Sequence, residues 1–388
     1  MIGGRKMINK AVIITAFLNY DYDVRIKYLE RYLLDKGIDV TIITTDWNHR
    51  EKIPFYVNKD NVEYIHVISY KRNMSVARIA SHVSFASKLI NVIEKMEPDL
   101  IYAIIPPNFL VRKLYSYKQQ HSDTKLIYEV EDLWPESIPL DNRLKKQLSI
   151  IFNIWSGLRD KWLINGDYFI FECELLKNKV KGYQRNKSTL IYLTKDGNHN
   201  GIIEKDLEKG INLLYLGSIN NIIDINLITE LASEMSLYTP TCLQIIGDGE
   251  ARNQLLQKCK DMNIVYIYHG IILDEEKKNV ILSRCHYGLN IMKNTVEVGV
   301  TMKSLDYFFC GLPLINNIKG DTYDIIESER CGINVLDVKK TARKICSFSQ
   351  MEYDCMVKNT IRVYHEKFSA TVFTKKIDEV IDTVCSNI

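Results

Sequence analysis

One rhythm runs through this chain twice. Short apolar, β-branched runs alternate with longer stretches of 3.6-residue periodicity, and the pattern restarts after the polar segment Lys195-Asp-Gly-Asn-His-Asn-Gly201. Such alternation specifies βα units on a parallel sheet. In the first half, strands are predicted at 11–17, 38–45, 62–68, 99–105, 124–130 and 167–171. Helices are predicted there at 24–36, 75–96, 109–120, 144–164 and 173–183. In the second half the strands are 211–217, 241–246, 264–268, 286–291 and 313–316. Its helices are near 223–236, 250–262, 274–283, 302–309 and 321–328. The expected fold class is α/β, with two doubly wound, Rossmann-like parallel-sheet domains facing across a cleft at their strand C-terminal ends, where such sheets bind ligands.

The totals agree with two domains. At 388 residues the chain exceeds one typical core, and 46% hydrophobic with 26% charged residues fits a globular protein. Residues 1–195 hold 30 Lys+Arg against 22 Asp+Glu, and the remainder 21 against 26. A basic first half and an acidic second half suggest that only one domain meets an anionic surface. With no Arg-rich run or recognised binding motif, nucleic acid is not an expected partner. All nine cysteines fall at or after Cys173 without a CxxC pair, which favours reduced thiols in a cytosolic protein over disulfides or zinc. Ala11–Leu18 reads as a first buried strand, not a signal peptide, and no apolar run approaches a membrane span.

The most informative motif is the stretch from Val300 to Ile315. It reads as a loop, a helix from about Thr301, and a stop at Gly311-Leu-Pro313 before a short strand. Lys303 and Asp306 lie three apart in its first two turns. A helix N-terminus with a lysine suits a diphosphate, and a carboxylate one turn on suits sugar hydroxyls. The plainer alternative is an ordinary surface helix. Glycine-containing loops follow three predicted strands: Leu216-Gly-Ser-Ile-Asn220, Gly247-Asp-Gly-Glu250 and Tyr268-His-Gly-Ile-Ile272. Neither G-x-G-x-x-G nor G-x-x-x-x-G-K-[ST] occurs, so a dinucleotide oxidoreductase or P-loop NTPase is unsupported.

The order of these pieces resembles the GT-B nucleotide-sugar glycosyltransferases, specifically retaining glycosyltransferase family 4 and its bacterial members that build capsule, O-antigen and exopolysaccharide. The resemblance covers nearly the whole chain. It runs through Asp23-Val-Arg-Ile26, Gly37-Ile-Asp-Val-Thr41, Glu131-Asp-Leu-Trp-Pro-Glu-Ser137, Ile246-Gly-Asp-Gly-Glu250, His269-Gly270 and Lys303-Ser-Leu-Asp-Tyr307 with Gly311-Leu-Pro313. It implies that Asp306 binds the ribose, and that Glu297, Gly299, Thr301, Met302 and Lys303 face the donor sugar and diphosphate. Gly270 and Ile272 would line the base, and Gly217, Ser218 and Gly247 would sit near the phosphates. Asn19, Tyr20, Asp21, Arg25, Pro107, Glu131 and Trp134 would meet the acceptor. The resemblance also implies domains at 1–194 (acceptor) and 195–368 (donor), with a C-terminal helix, 369–388, packing back on the first.

Three departures stand out. Glu297 and Asp306 are nine apart, where the family pair is usually eight apart and both are Glu. Ser218 follows Gly217 where the family has Arg. Phe17-Leu-Asn-Tyr-Asp21 replaces a glycine pair. Lys303, with Lys293 as a further cation, is then left to hold the diphosphate.

Retaining transfer of this type needs a stabilised leaving diphosphate and a positioned acceptor hydroxyl, with no metal or cofactor expected. Asp132, just past a strand end, is the candidate to orient or deprotonate the acceptor, with Lys303 as its catalytic counterpart on the leaving group. Glu129 and Glu131 offer the same chemistry as Asp132, and capping of the next turn is its plainer role. His269 is expected to pack. Residues 143–162 form either an interfacial helix on an anionic leaflet or, the favoured reading, an outer-layer helix with its apolar stripe in the core. The resemblance implies a cytoplasmic, membrane-peripheral hexosyltransferase. It would use a nucleotide diphosphate sugar, UDP favoured, and a polyprenyl-linked or other saccharide acceptor. A protein or lipopolysaccharide-core acceptor, and a catalytically weak GT-B partner subunit, are the alternatives.

Overall fold

The computed structural model describes residues 7–18, 24–138, 142–197 and 205–386. The chain divides into two compact units. Unit 1 comprises residues 1–192 with 373–388, and unit 2 comprises 193–372.

In unit 1 the chain runs through β1 (Lys10–Ile14), α1 (Val24–Asp35), β2 (Asp39–Thr45) and a small ribbon of β3 (Trp47–Asn48) and β4 (Ile53–Pro54). It continues with β5 (Val62–Ile65), α2 (Val76–Met96), β6 (Leu100–Ile105), α3 (Phe109–Gln120) and β7 (Lys125–Val130). Then come α4 (Asn142–Gln147), α5 (Ser149–Asp160), β8 (Tyr168–Phe171), α6 (Glu174–Lys179) and β9 (Ser188–Leu190). The main sheet is parallel, in the order β5-β2-β1-β6-β7-β8-β9.

Alternation along β1 explains how one strand feeds two cores. Val12 and Ile14 join a cluster with Phe85 and Leu89 of α2 and Leu110 and Leu114 of α3. Ala11 and Ile13 point the other way, to Ile26 and Leu29 of α1 and to Phe373, Ile377 and Val380 near the chain's end. Those last residues belong to α14 (Ala370–Ser386), whose apolar stripe completes this face.

Unit 2 repeats the plan. Its elements are β10 (Ile211–Leu216), α7 (Ile225–Ser236), β11 (Thr241–Ile246), α8 (Arg252–Asp261), β12 (Val265–Gly270), α9 (Glu275–Ser283) and β13 (Tyr287–Asn290). After these come α10 (Met302–Phe309), β14 (Leu314–Asn316), α11 (Asp321–Glu329), β15 (Gly332–Asn334), α12 (Val338–Cys346) and α13 (Gln350–Val363). The parallel order is β12-β11-β10-β13-β14-β15. Both sheets therefore reverse winding direction beside their first strand, which is where doubly wound sheets take ligands.

The two-sheet α/β architecture matches expectation, and the differences have physical causes. β9 and β15 were not expected because three residues carry almost no periodic signal. The helices α12 and α13 were also not anticipated. The stretch 143–162 is not one core-facing helix. It breaks between α4 and α5, and α5 leaves Ile150 73%, Ile151 58% and Ile154 66% exposed while burying Arg159 completely. The favoured sequence reading is corrected accordingly. The buried Arg159 guanidinium reaches Glu136 at 2.7 Å and Asp160 at 2.8 Å.

A second buried charge ties the sheet to α1. Arg25 donates through Nε to Glu129 Oε1 at 2.7 Å and through Nη1 to the carbonyl of Tyr192 at 2.5 Å, while Tyr102 donates to Glu129 Oε2 at 2.6 Å. All three side chains are nearly inaccessible. Removing one partner strands the other charge, which typically costs about 3–5 kcal/mol. We expect Glu129→Ala to lower the unfolding free energy of unit 1, measured by urea titration, by an amount in that range. A loss below about 1 kcal/mol would mean that water or a neighbour replaces the carboxylate.

Candidate functional site

Three strand-end loops and one helix start converge in unit 2. Thr301 is extended and caps α10, its hydroxyl accepting from the backbone N–H of Ser304. That hydroxyl also donates to Asn290 Oδ1 at 2.8 Å. Asn290 in turn donates to Asn316 Oδ1 at 2.9 Å, and Asn316 to Asn334 Oδ1 at 2.8 Å. These three asparagines end β13, β14 and β15 in register and are buried. The far end is held by Asn334 donating to Glu327 of α11 at 2.8 Å. A buried amide left unpaired is costly, so the ladder pins the start of α10 to three strands at once. The sequence did carry this signal, Leu-Asn, Ile-Asn and Ile-Asn at three short strand ends, but sequence reading missed it.

The loop before α10 is held as well. The Gly299 carbonyl accepts from both the backbone and the hydroxyl of Thr322, at 2.9 and 2.7 Å. Glu297 and Met302 are exposed.

The strand-end glycines serve one another. Gly217 N–H donates to the Ile246 carbonyl at 2.9 Å, and Gly247 N–H to the Gly270 carbonyl at 2.8 Å. A Cβ on Gly247, where φ is +135°, would lie 1.9 Å from the Gly217 carbonyl oxygen. At Gly247 glycine is thus needed by the neighbouring loop, independently of any ligand. Gly270 has open space around it and Ile272 is half-buried, while the Ser218 carbonyl accepts from the Tyr215 hydroxyl at 2.8 Å.

Lys303 lies beside these glycine loops. Its Nζ lies 4.5 Å from the Tyr215 ring centroid, and its Cε lies 3.7 Å from where a Gly217 Cβ would stand. Among the described residues it has no ion-pair partner. Burial pulls its ammonium down to about 8. A cation held over an aromatic face beside a glycine loop, without a counter-ion, is a site built for an anion.

Asp306 is differently placed. Its carboxylate pairs with Lys195 and lies 3.5 Å from Lys278, and Lys195 also reaches Glu275 at 3.2 Å. Lys303 and Asp306 share a helix but face different partners, so a free carboxylate for ribose hydroxyls is not what the geometry provides. His269 bonds Gln244 Oε1 at 2.8 Å across β11 and β12, a packing role. Lys293 is exposed.

In unit 1, Asp132 closes its own turn. One oxygen accepts from Leu133 N–H at 2.7 Å and the other from the Trp134 indole N–H at 2.6 Å. Both oxygens keep a free lone pair, so the carboxylate is oriented without being used up. The Trp134 carbonyl accepts from Asn108 at 2.6 Å, and its ring carries Arg78 at 3.7 Å. Glu131 is half-buried and lies 3.9 Å from Arg25.

Two acceptor assignments are corrected. Arg25 is buried against Glu129, and Pro107 is buried with its carbonyl accepting from Leu110, so neither presents a free group. Asn19, Tyr20 and Asp21 lie outside the described residues. Among the described residues no group of three or more His, Cys, Asp or Glu side chains gathers as a metal would require.

No family model and no curated protein matches the chain. Solved structures do. Sucrose-phosphate synthase from Thermosynechococcus elongatus superposes with a TM-score of 0.67 at 12% identity, over 96% of this chain and 98% of that one. Anabaena HepE in complex with UDP gives 0.67 at 11% identity, over 97% and 100%. The lipopolysaccharide outer core galactosyltransferase WaaB gives 0.66 at 12% identity, over 96% and 99%. The fold is GT-B.

Lys303 yields a prediction with a definite sign. Its folded pKa is lowered, so the fold disfavours the ammonium, and that penalty is present below about 8 and fades as pH rises toward 10. Lys303→Met should therefore unfold at higher denaturant than the parent at pH 7, by on the order of 1 kcal/mol, and the gap should close by pH 10. A variant less stable than the parent at pH 7 would make Lys303 a structural residue.

Proposed function

We propose that the chain is a retaining, metal-independent glycosyltransferase. It transfers a hexose from a nucleotide diphosphate sugar, UDP favoured, to a saccharide acceptor, polyprenyl-linked, in the synthesis of a bacterial surface polysaccharide. The observation that carries this reading is Lys303, a cation without a counter-ion at the N-terminus of α10 and beside the Gly217 loop. In the proposed mechanism the lysine and the free N–H groups of that helix end take the charge developing on the leaving diphosphate. Asp132, with both oxygens oriented by its own turn, orients the acceptor hydroxyl or takes its proton. The neighbours solved with UDP and with UDP-glucose support this choice of donor.

A peripheral location on the inner face of the membrane is part of the proposal, supported by α5. Its exposed Ile150, Ile151 and Ile154 follow the exposed basic residues Arg143 and Lys146 of α4, a pairing suited to an anionic leaflet. Among the described residues no helix is long and apolar enough to cross a membrane.

Two experiments test these points. In a thermal-shift panel of UDP, GDP, ADP and dTDP with their sugar conjugates, one nucleotide should raise the melting temperature. Lys303→Ala should weaken that nucleotide diphosphate about tenfold or more and leave the nucleoside unchanged. No shift with any nucleotide at millimolar concentration would favour a partner-subunit role. For the membrane contact, the triple change Ile150→Ser, Ile151→Ser, Ile154→Ser should abolish co-sedimentation with vesicles containing phosphatidylglycerol. Equal sedimentation of parent and variant would remove α5 from that role.

A further inference from the structure

A pocket of about 200 Å³, including its open mouth, lies within unit 1 at the C-terminal ends of β1 and β2. Its walls include Phe17, Trp47, Tyr70 and His82. Its enclosed part has room for about one oxygen atom, so a ligand's ring would stay at the mouth.

Three buried polar atoms around it lack a hydrogen-bond partner among the described residues: Trp47 Nε1, His82 Nε2 and Arg78 Nε. His82 is 4% and Arg78 5% exposed. The indole and guanidinium N–H groups are donors only, so what is missing is an acceptor. The Arg78 guanidinium centres 3.7 Å over Trp134, and it lies 5.6 and 5.7 Å from the Phe17 and Tyr70 rings. Lys52 lies 5.1 Å from the other wall ring, that of Tyr70.

The charge balance points the same way. Asp132 is the one carboxylate among the described residues that bears on Arg78, and its two hydrogen bonds come from Leu133 and Trp134, not from Arg78. Burial and the nearby cations hold His82 near 3 and His49 near 4, so both imidazoles are neutral at pH 7. Arg78 Nη1 donates to the Asn73 carbonyl at 3.3 Å, and Lys52 is bonded to His49 and Asn73, which leaves Arg78 Nε and Trp47 Nε1 as donors without acceptors beside a neutral imidazole, a set suited to an anionic oxygen.

We infer that this pocket binds the anionic oxygen group, carboxylate or phosphate, of an acidic sugar. Its use as the acceptor subsite rests on the transferase reading, whereas the anion site itself does not. The small enclosed volume favours the carboxylate.

The test is calorimetric titration of the full chain, without nucleotide, with methyl glucuronide, glucose 6-phosphate and methyl glucoside. A charged sugar should bind at least about tenfold more tightly than the neutral one, the scale of a hydrogen bond to a charged group. Trp47→Phe, which keeps the ring and loses the N–H, and Arg78→Gln should each erase most of that preference. The glucuronide and phosphate arms separate the two anion types. Equal affinity for charged and neutral sugars, no heat with either charged sugar at millimolar concentration, or a preference that survives both substitutions would overturn the inference and leave the pocket to water. UDP binding measured on the same samples keeps the readings apart. Loss of UDP binding with the sugar preference intact would sink the transferase, and the reverse would sink the acidic-sugar site.

Discussion

Buried amides are costly to leave unpaired, and that constraint organises unit 2 of this protein. Asn290, Asn316 and Asn334 close three neighbouring strands and bond to one another in sequence, with Thr301 at one end and Glu327 at the other. The position of α10 follows from this chain of bonds. So does that of Lys303, which lies in the first turn of the helix. A site that must hold a cation with no counter-ion needs such rigidity, since the charge would otherwise find solvent or a carboxylate.

Buried charge is handled in two opposite ways. Around Arg25, each donor meets a carboxylate or carbonyl, and the result is structural. Around Lys303 and Arg78, cations rest on aromatic faces without a carboxylate in contact. The second arrangement sacrifices some stability, and folds retain it where a ligand supplies the missing negative charge.

Much of the architecture was legible because parallel strands buried on both faces read as apolar runs, and α1, α2, α7 and α10 carry clear periodicity. Thr301, Gly311 and Pro313 marked α10 correctly by capping chemistry alone. What stayed hidden depends on partners far along the chain. Nothing local in Arg25 distinguishes a buried ion pair from a ligand contact, since Glu129 lies 104 residues away. Asp306 looked free because Lys195 and Lys278 lie in other elements. The apolar stripe of α5 was assigned inward, whereas the face that is buried carries Arg159, whose partner Glu136 lies 23 residues back along the chain. The asparagine ladder was visible as residues and invisible as a ladder, because register is not written in any single strand.

The return of α14 bears on how the protein is made. Phe373, Ile377, Val380, Ile381 and Val384 complete one face of the sheet that β1 begins. Unit 2, by contrast, is a single uninterrupted stretch of chain. During synthesis the half that emerges first must wait, one side of its sheet covered only in part by α1, until residues 373–386 have left the ribosome. The half made later can finish folding ahead of it. The order of translation and the order of completion are therefore reversed, and the exposed face of the waiting sheet is where a nascent chain of this kind is most open to aggregation or to a chaperone.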